Sequence, residues 1–355
     1  MPEIHEARRA RLAGLVAARD ADAALITRLV NVRYLTGLAS SNAALLVRAD
    51  GTAVLATDGR YAGTAARACP ELECVIDRAT AGVLAARASG RLAFEAHDVT
   101  VEAHDALAAE PDAPDLVALG RAVEELRMIK DEAEIALLSE ACAITDRAFD
   151  AVLPTIRPGV TEREIAVALD RAMVDLGAEQ PAFATIVASG PNGAIPHHVP
   201  SGRAIAHGDL VTMDFGARQG GYHADMTRTV AVGTAGAWER EIYELVAAAQ
   251  AAGVAAAAPE AVTKEVDAAA RDLIEAAGHG DDFPHGLGHG VGLEIHEAPL
   301  MGYDKTGKLT DRVPITVEPG VYVAGRGGVR IEDTLVVRAD GPELLTKTTK
   351  DLLVI

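Results

Sequence analysis

Four acids in the C-terminal half of the chain, Asp214, Asp225, Glu318 and Glu332, lie in β-branched stretches that alternate apolar and polar residues. Between the first two, Gln219-Gly220-Gly221 supplies residues that accept positive φ in a tight hairpin. A turn about Gln219-Gly220 sets Asp214 opposite Asp225, with Cβ atoms roughly 4.5–5.5 Å apart. Thr212, Gly216, His223 and Thr227 then share the acids' face, while Val211, Met213, Phe215 and Met226 face a core. A second glycine-rich turn, Ala324-Gly325-Arg326-Gly327-Gly328, is centred on Gly325 and sets Glu318 opposite Glu332. Any one of these acids alone reads as a solvated strand residue; two opposed pairs backed by apolar faces read as a site.

Carboxylates this close cannot all stay ionised unless a cation or shared protons compensate, and a divalent metal is the simplest compensator. The segment from His285 to Glu297 offers an imidazole from His285, His289 or His296, and its glycines let backbone approach closely. An oxygen-rich set with one imidazole suits Mn, Co, Fe or Zn, and two ions roughly 3.5–4 Å apart form the hydrolase arrangement. Arg330, two residues before Glu332, points to the same face and is placed to hold a ligand by an ion pair.

In the settings MDFG, HADMTRT, GHGVGLEIHE, VEPGVY and GVRIEDT, the ordered set Asp214, Asp225, His289, Glu318 and Glu332 resembles the pita-bread metallopeptidases, specifically the aminopeptidase P and prolidase group. The resemblance covers roughly residues 126 to 355. It implies a dinuclear site, with Asp214 on one metal, Asp225 and Glu332 bridging, and His289 and Glu318 on the other. It implies Mn or Co foremost, with Zn or Fe as alternatives, and a water-derived nucleophile whose proton Glu318 or a bridging carboxylate manages. His197, in Ser189-Gly190-Pro191-Asn192-Gly193-Ala194-Ile195-Pro196-His197-His198, falls at the family's proton shuttle. His296 matches the histidine that contacts the scissile group, and Arg330 an arginine supporting the bridging glutamate. His285 stands at the edge of the site, and His198 competes with His197 for the shuttle role.

The elements that must position these groups divide the chain in two. Residues 1–120 read as a small α/β domain: strands at Ala23–Thr27, Ala43–Arg48, Thr52–Ala56, Leu72–Ile76, Leu92–Glu95 and Leu116–Leu119, helices near 79–88 and 101–109, and a hairpin at Asp50-Gly51. Asn31-Val32-Arg33-Tyr34-Leu35-Thr36-Gly37 resembles the creatinase-like N-terminal domain of the same family, with Tyr34 read as packing. Glu110-Pro111-Asp112-Ala113-Pro114 is the strongest breaker before a catalytic domain spanning 121–355. There a long helix is expected from Ala122 towards Pro154. Thr161-Glu162-Arg163-Glu164 spells a capping box for a helix ending at Gly177. Helices at 238–257 and 262–277 separate the hairpins. The fold class is therefore α+β, with a curved antiparallel sheet covered by helices.

Acids outnumber bases 52 to 33, for a net charge of −19, which argues against nucleic acid and anionic membrane as partners. The first residues lack an apolar signal core and no apolar run is long enough to span a bilayer, so a cytoplasmic enzyme is expected. Cys69, Cys74 and Cys142 are odd in number and form no CxxC pair, which disfavours a disulfide framework. Two decoys fall away. Gly286–Gly292 lacks dinucleotide-loop spacing, and Gly302–Leu309 has Leu309 where a phosphate loop needs a hydroxyl.

The resemblance implies hydrolysis of an Xaa-Pro bond at the amino end of a small proline-containing peptide, by an enzyme that dimerises. Family prolidases carry an arginine after the His-Glu pair to grip a dipeptide's carboxylate, whereas Ala298-Pro299-Leu300-Met301 has none. The expectation is therefore an Xaa-Pro aminopeptidase accepting longer peptides, with Xaa-Pro dipeptidase as the alternative and Arg326 or Arg330 as its substitute clamp. A creatinase-like amidinohydrolase and a non-catalytic binding protein share the fold, but relatives of those kinds lose ligands that are all present here.

Overall fold

The computed structural model describes residues 2–110 and 112–355. Pro111, in the expected breaker, lies outside them. Two compact units divide the chain, Met1–Arg127 and Met128–Ile355.

The first unit is a six-stranded mixed sheet in the order Glu73–Ile76, Ala53–Thr57, Ala43–Arg48, Ala23–Ile26, Arg91–Phe94, Asp115–Ala118. Its strands fall within a residue or two of the expected positions, and Gly51 turns the central hairpin at φ 89°. Helices Pro2–Ala18, Leu29–Thr36 and Ala62–Ala68 were not anticipated. Tyr34 is buried, with the Arg8 guanidinium 4.2 Å from its ring centroid and its hydroxyl donating to Leu126 O at 3.1 Å. That makes it a packing residue within this unit.

In the second unit the strands pair antiparallel, with one isolated parallel bridge between Ala231 and Val354. Two layers repeat the same construction. Helices Glu132–Val152 and Glu162–Asp175 place Ile144, Phe149, Leu169 and Met173 against Val211, Met213, Phe215 and Met226 of one strand set. Helices Ala237–Ala256 and Thr263–Ala276 place Val246, Ala249, Val266 and Ile274 against Ile315, Val317, Val329 and Leu335 of another. Burying each such side chain contributes about 1.5–3 kcal/mol, so the apolar alternate of each strand fixes which side remains for chemistry.

One expected helix is two. The pattern from Ala122 onward breaks between Met128 and Glu132, where Asp131 accepts from Glu134 N and Glu134 accepts from Asp131 N, both at 2.9 Å. A reciprocal cap starts a new helix wherever its residues fit, even when apolar periodicity runs on. The Thr161–Glu164 cap forms as read, and its helix gives way at Gly177, φ 108°.

The two hairpins test the register directly. Pro314–Val317 pairs with Asp333–Val336, and Gly320–Val323 with Gly327–Arg330, both about Gly325, which puts Glu318 and Glu332 in the expected opposition. In the other hairpin Asp214 pairs with Thr227, not Asp225. The turn there is Gly220-Gly221, φ 57° and 85°, with Gln219 opposite Tyr222. Two consecutive positive φ values require both glycines inside the turn, and this moves every partner by two residues. A shift of two preserves the face.

Among the described residues no helix is long and apolar enough to cross a membrane. Cys69 and Cys142 are buried free thiols, and Cys74 is a half-buried one.

Candidate active site

A cavity of about 730 Å³ in the second unit gathers Asp214, Asp225, His289, Glu318 and Glu332, together with His197, His285, His296 and Arg330. His223, expected on the acids' face, lies elsewhere and meets Gly292 O at 3.0 Å.

His289 is delivered by Gly288–Gly290, a strand between Glu297–Met301 and Pro314–Val317. Its flanking glycines are required by contact: a Cβ on Gly288 would lie 2.2 Å from Thr316 O, and one on Gly290 2.2 Å from Ala298 O. Burial lowers the His289 pKa, so the ring is neutral. Its Nδ1 donates to Gly290 O at 3.0 Å, which leaves the Nε2 lone pair facing Glu318 Oε1 at 3.3 Å and Asp225 Oδ2 at 3.6 Å.

Asp225, Glu318 and Glu332 make no ion pair with a lysine or arginine among the described residues. Burial, then Glu332, Asp214 and Glu318, push Asp225 well above the usual carboxylate range. Glu332 is raised likewise by burial and by Glu318 and Asp214, although Thr227 Oγ1 donates to its Oε2 at 2.7 Å. Burial pushes Glu318 up to about 7 against the opposing charge of Arg330. Among the described residues Glu332 Oε1 and Asp214 Oδ1 are buried with no hydrogen-bond partner. One oxygen or nitrogen each from Asp225, His289 and Glu332 lie within 4.8 Å of one another. Lone pairs converging in this way fit a divalent cation, and the Nδ1 bond to a carbonyl is the usual support of a metal-binding histidine.

Arg330 holds the site's other side. It donates to Asp214 Oδ2 at 2.7 Å, Tyr322 OH at 2.9 Å, Thr227 Oγ1 at 3.0 Å and Pro196 O at 3.3 Å. The expected ion pair therefore exists, but with Asp214 across the sheets rather than with Glu332. His285 Nδ1 donates to Gly286 O and, kept neutral with a pKa near 4 by burial, its Nε2 accepts from Tyr322 OH at 2.8 Å. His285 thus orients Tyr322, which orients Arg330.

The neighbouring histidines separate clearly. His198 Nε2 lies 2.8 Å from Glu162 Oε2, whereas His197 is exposed to the cavity and has no hydrogen bond among the described residues. Glu162, fully buried, also accepts from Ser189 N and Oγ, Asn192 Nδ2, and Ser201 N and Oγ. Burial alone would raise its pKa; these donors outweigh it and hold the carboxyl at about 2. That hub pins the segment carrying His197. His296 stacks edge-on to His289 with ring centroids 4.4 Å apart, and burial lowers its pKa. Lys130 Nζ, at 2.8 Å from Glu297 Oε2, anchors the strand that follows His296.

The role of Tyr322 and the hub role of Glu162 were missed from sequence, whereas Thr227 lies beside the acids as its place on their face implies. Glu162 stood only within the capping-box stretch and Tyr322 only at the end of VEPGVY, because both act through residues distant in the chain.

Residues 136–339 match the family described as metallopeptidase family M24, and residues 8–129 match the creatinase/prolidase N-terminal domain. The fold is similar to that of an Xaa-Pro dipeptidase from Bacillus anthracis, at a TM-score of 0.94 and 36% identity over 99% of this chain and 100% of that one. It is also similar to an X-Pro aminopeptidase from Thermotoga maritima, at a TM-score of 0.89 and 33% identity over 98% and 99%. An Xaa-Pro dipeptidase from Pyrococcus furiosus is 47% identical over 232 residues, 65% of this chain and 66% of that one. Dipeptidases predominate among such relatives, which favours the dipeptidase alternative over the expected aminopeptidase. With all five carboxylate and histidine positions gathered in one cavity of the pita-bread fold, the chain belongs to metallopeptidase family M24.

Proposed function

We propose that this protein is an Xaa-Pro dipeptidase with a dinuclear divalent-metal centre. The observation that carries the reading is the convergence of the His289 Nε2 lone pair on buried carboxylates that no protein cation neutralises. Asp214 would hold one ion, His289 and Glu318 the other, and Asp225 and Glu332 would bridge, with Mn or Co as the fitting metals. When bound, these ions supply Lewis acidity toward the scissile carbonyl and make water nucleophilic near neutral pH.

The remaining work falls to side chains. Glu318, whose carboxyl burial pushes up to about 7, receives the proton of the attacking water and passes it toward the leaving proline nitrogen. Neutral His296 donates an N–H to the developing oxyanion. His197, unencumbered and facing the cavity, binds the substrate beside the scissile bond and shuttles the proton. Arg330 holds the Asp214 carboxylate in place through its ion pair. A homodimer rests on family resemblance alone, and the free thiols support a reducing, cytoplasmic setting.

The test is kcat/KM for Leu-Pro against Leu-Pro-Ala in one metal buffer. A dipeptidase cleaves Leu-Pro at least tenfold more efficiently; the reverse order returns the enzyme to the aminopeptidase class.

A further inference from the structure

A dipeptide brings its own problem to this cavity. The carboxylate of the leaving proline sits one carbon from the scissile nitrogen, beside four protein carboxylates. Two divalent ions would offset the charge of those four acids, and Arg330, the buried cation beside them, is already paired with Asp214, so no uncommitted charge there awaits a fifth carboxylate. Binding then requires a further cation, and the strand Glu297–Met301 presents only the uncharged Leu300 and Met301 to the cavity.

Among the described residues lining the cavity, two carry permanent positive charge, Arg330 and Lys305. Arg330 is 3% exposed and commits Nε, Nη1 and Nη2 to Thr227, Pro196, Tyr322 and Asp214. Arg326, the other clamp expected from sequence, stacks on Trp238 at 4.0 Å and does not line the cavity. Lys305 differs from both. Its side chain is 40% exposed, and its ion pair at 3.0 Å is with the adjacent, 56% exposed Asp304. Such surface pairs contribute about 0–1 kcal/mol, and an ammonium with three donors has two to spare. The root of the lysine is set by a turn directly after the strand: Lys305 N donates to Gly302 O at 3.0 Å, and its Cγ would lie 3.6 Å from a Cβ on Gly302.

Building on the dipeptidase reading, we propose that Lys305 is the specificity-determining cation of this enzyme, receiving the C-terminal carboxylate of an Xaa-Pro dipeptide. It replaces, from the turn after the strand, the arginine that the strand itself lacks. Asp304 holds the ammonium at the rim until substrate displaces it.

Steady-state kinetics on Leu-Pro and on Leu-Pro-amide, which lacks the carboxylate, test this in wild type, Lys305→Gln, Lys305→Arg and Asp304→Asn. Lys305→Gln is expected to raise KM for Leu-Pro on the order of tenfold, the loss of one charge-assisted contact, with kcat within about twofold. KM for the amide should move by less than about twofold, Lys305→Arg should restore KM for Leu-Pro, and Asp304→Asn should lower it. An unchanged KM for Leu-Pro in Lys305→Gln, in an enzyme that does cleave Leu-Pro, overturns the Lys305 assignment and leaves the dipeptidase reading standing. An equal rise for both substrates also overturns it, since that marks a structural role. A wild-type preference for Leu-Pro-Ala overturns the dipeptidase reading, and the assignment with it.

Discussion

Glu332 and Asp333 are consecutive residues, 1% and 0% exposed, yet their electrostatic surroundings are opposite. Asp333 is met by Arg228 Nη2 and Lys350 Nζ, each at 2.7 Å, and by Gln250 Nε2 and Thr346 Oγ1, each at 2.9 Å. Burial would raise its pKa, but the two cations prevail and hold it below the usual range. Glu332 meets one hydroxyl and a wall of other acids, and burial and those acids push it well up. Successive residues of an extended segment point to opposite sides, so one carboxylate enters the interior and the other the cavity. Around Asp333 the chain brings its own cations; around Glu332 it brings none into contact, which leaves room for a metal ion to supply the charge.

That contrast breaks if the two acids respond alike to loss of charge. Glu332→Gln should lower kcat/KM by roughly 10³-fold or more, about 4 kcal/mol of transition-state stabilisation, measured with Leu-Pro. In chelator the same variant should melt no lower than wild type, because it removes one of several mutually repelling carboxylates.

Asp333→Asn sharpens the comparison from the other side. It leaves Arg228 and Lys350 buried or half-buried beside a neutral amide, with an expected loss of about 3–5 kcal/mol in urea unfolding. Its metal content should stay at the wild-type level under conditions where it remains folded.

Much of the site was legible because its information is local. Glycines centred on Gly325 set the register of one hairpin, and the capping box at Thr161 set a helix start. The other hairpin came out two residues off because three candidate turn residues, Gln219, Gly220 and Gly221, leave two possible centres, and only backbone geometry selects the glycine pair. Which acid Arg330 serves, what Glu162 binds, and whether a cation replaces the missing arginine all depend on contacts between residues far apart in sequence. Alternation says which face a residue occupies, not which distant segment it meets there. The missing arginine pointed to longer substrates, with Arg326 or Arg330 as the substitute clamp, because nothing in the sequence shows that Lys305 lines the cavity.

The most direct test of the cation-deficient cluster is the melting temperature across pH, in chelator and in excess Mn, with bound metal counted in the same samples. Glu318, raised from an unfolded value of about 4.3 to about 7, binds more proton folded than unfolded between those pH values. The chelated protein should therefore lose stability as pH rises from about 6.5 to 8, above the range in which His285, His289 and His296, lowered by burial, act the opposite way, and Asp225 and Glu332 act in the same direction as Glu318. With Mn the curve should lie higher, by about 2.7 kcal/mol per bound ion at a hundredfold excess over Kd, and its fall with pH should vanish, with two ions per chain. A melting temperature indifferent to both metal and pH, in a protein that cleaves Leu-Pro without metal, would contradict the central claim.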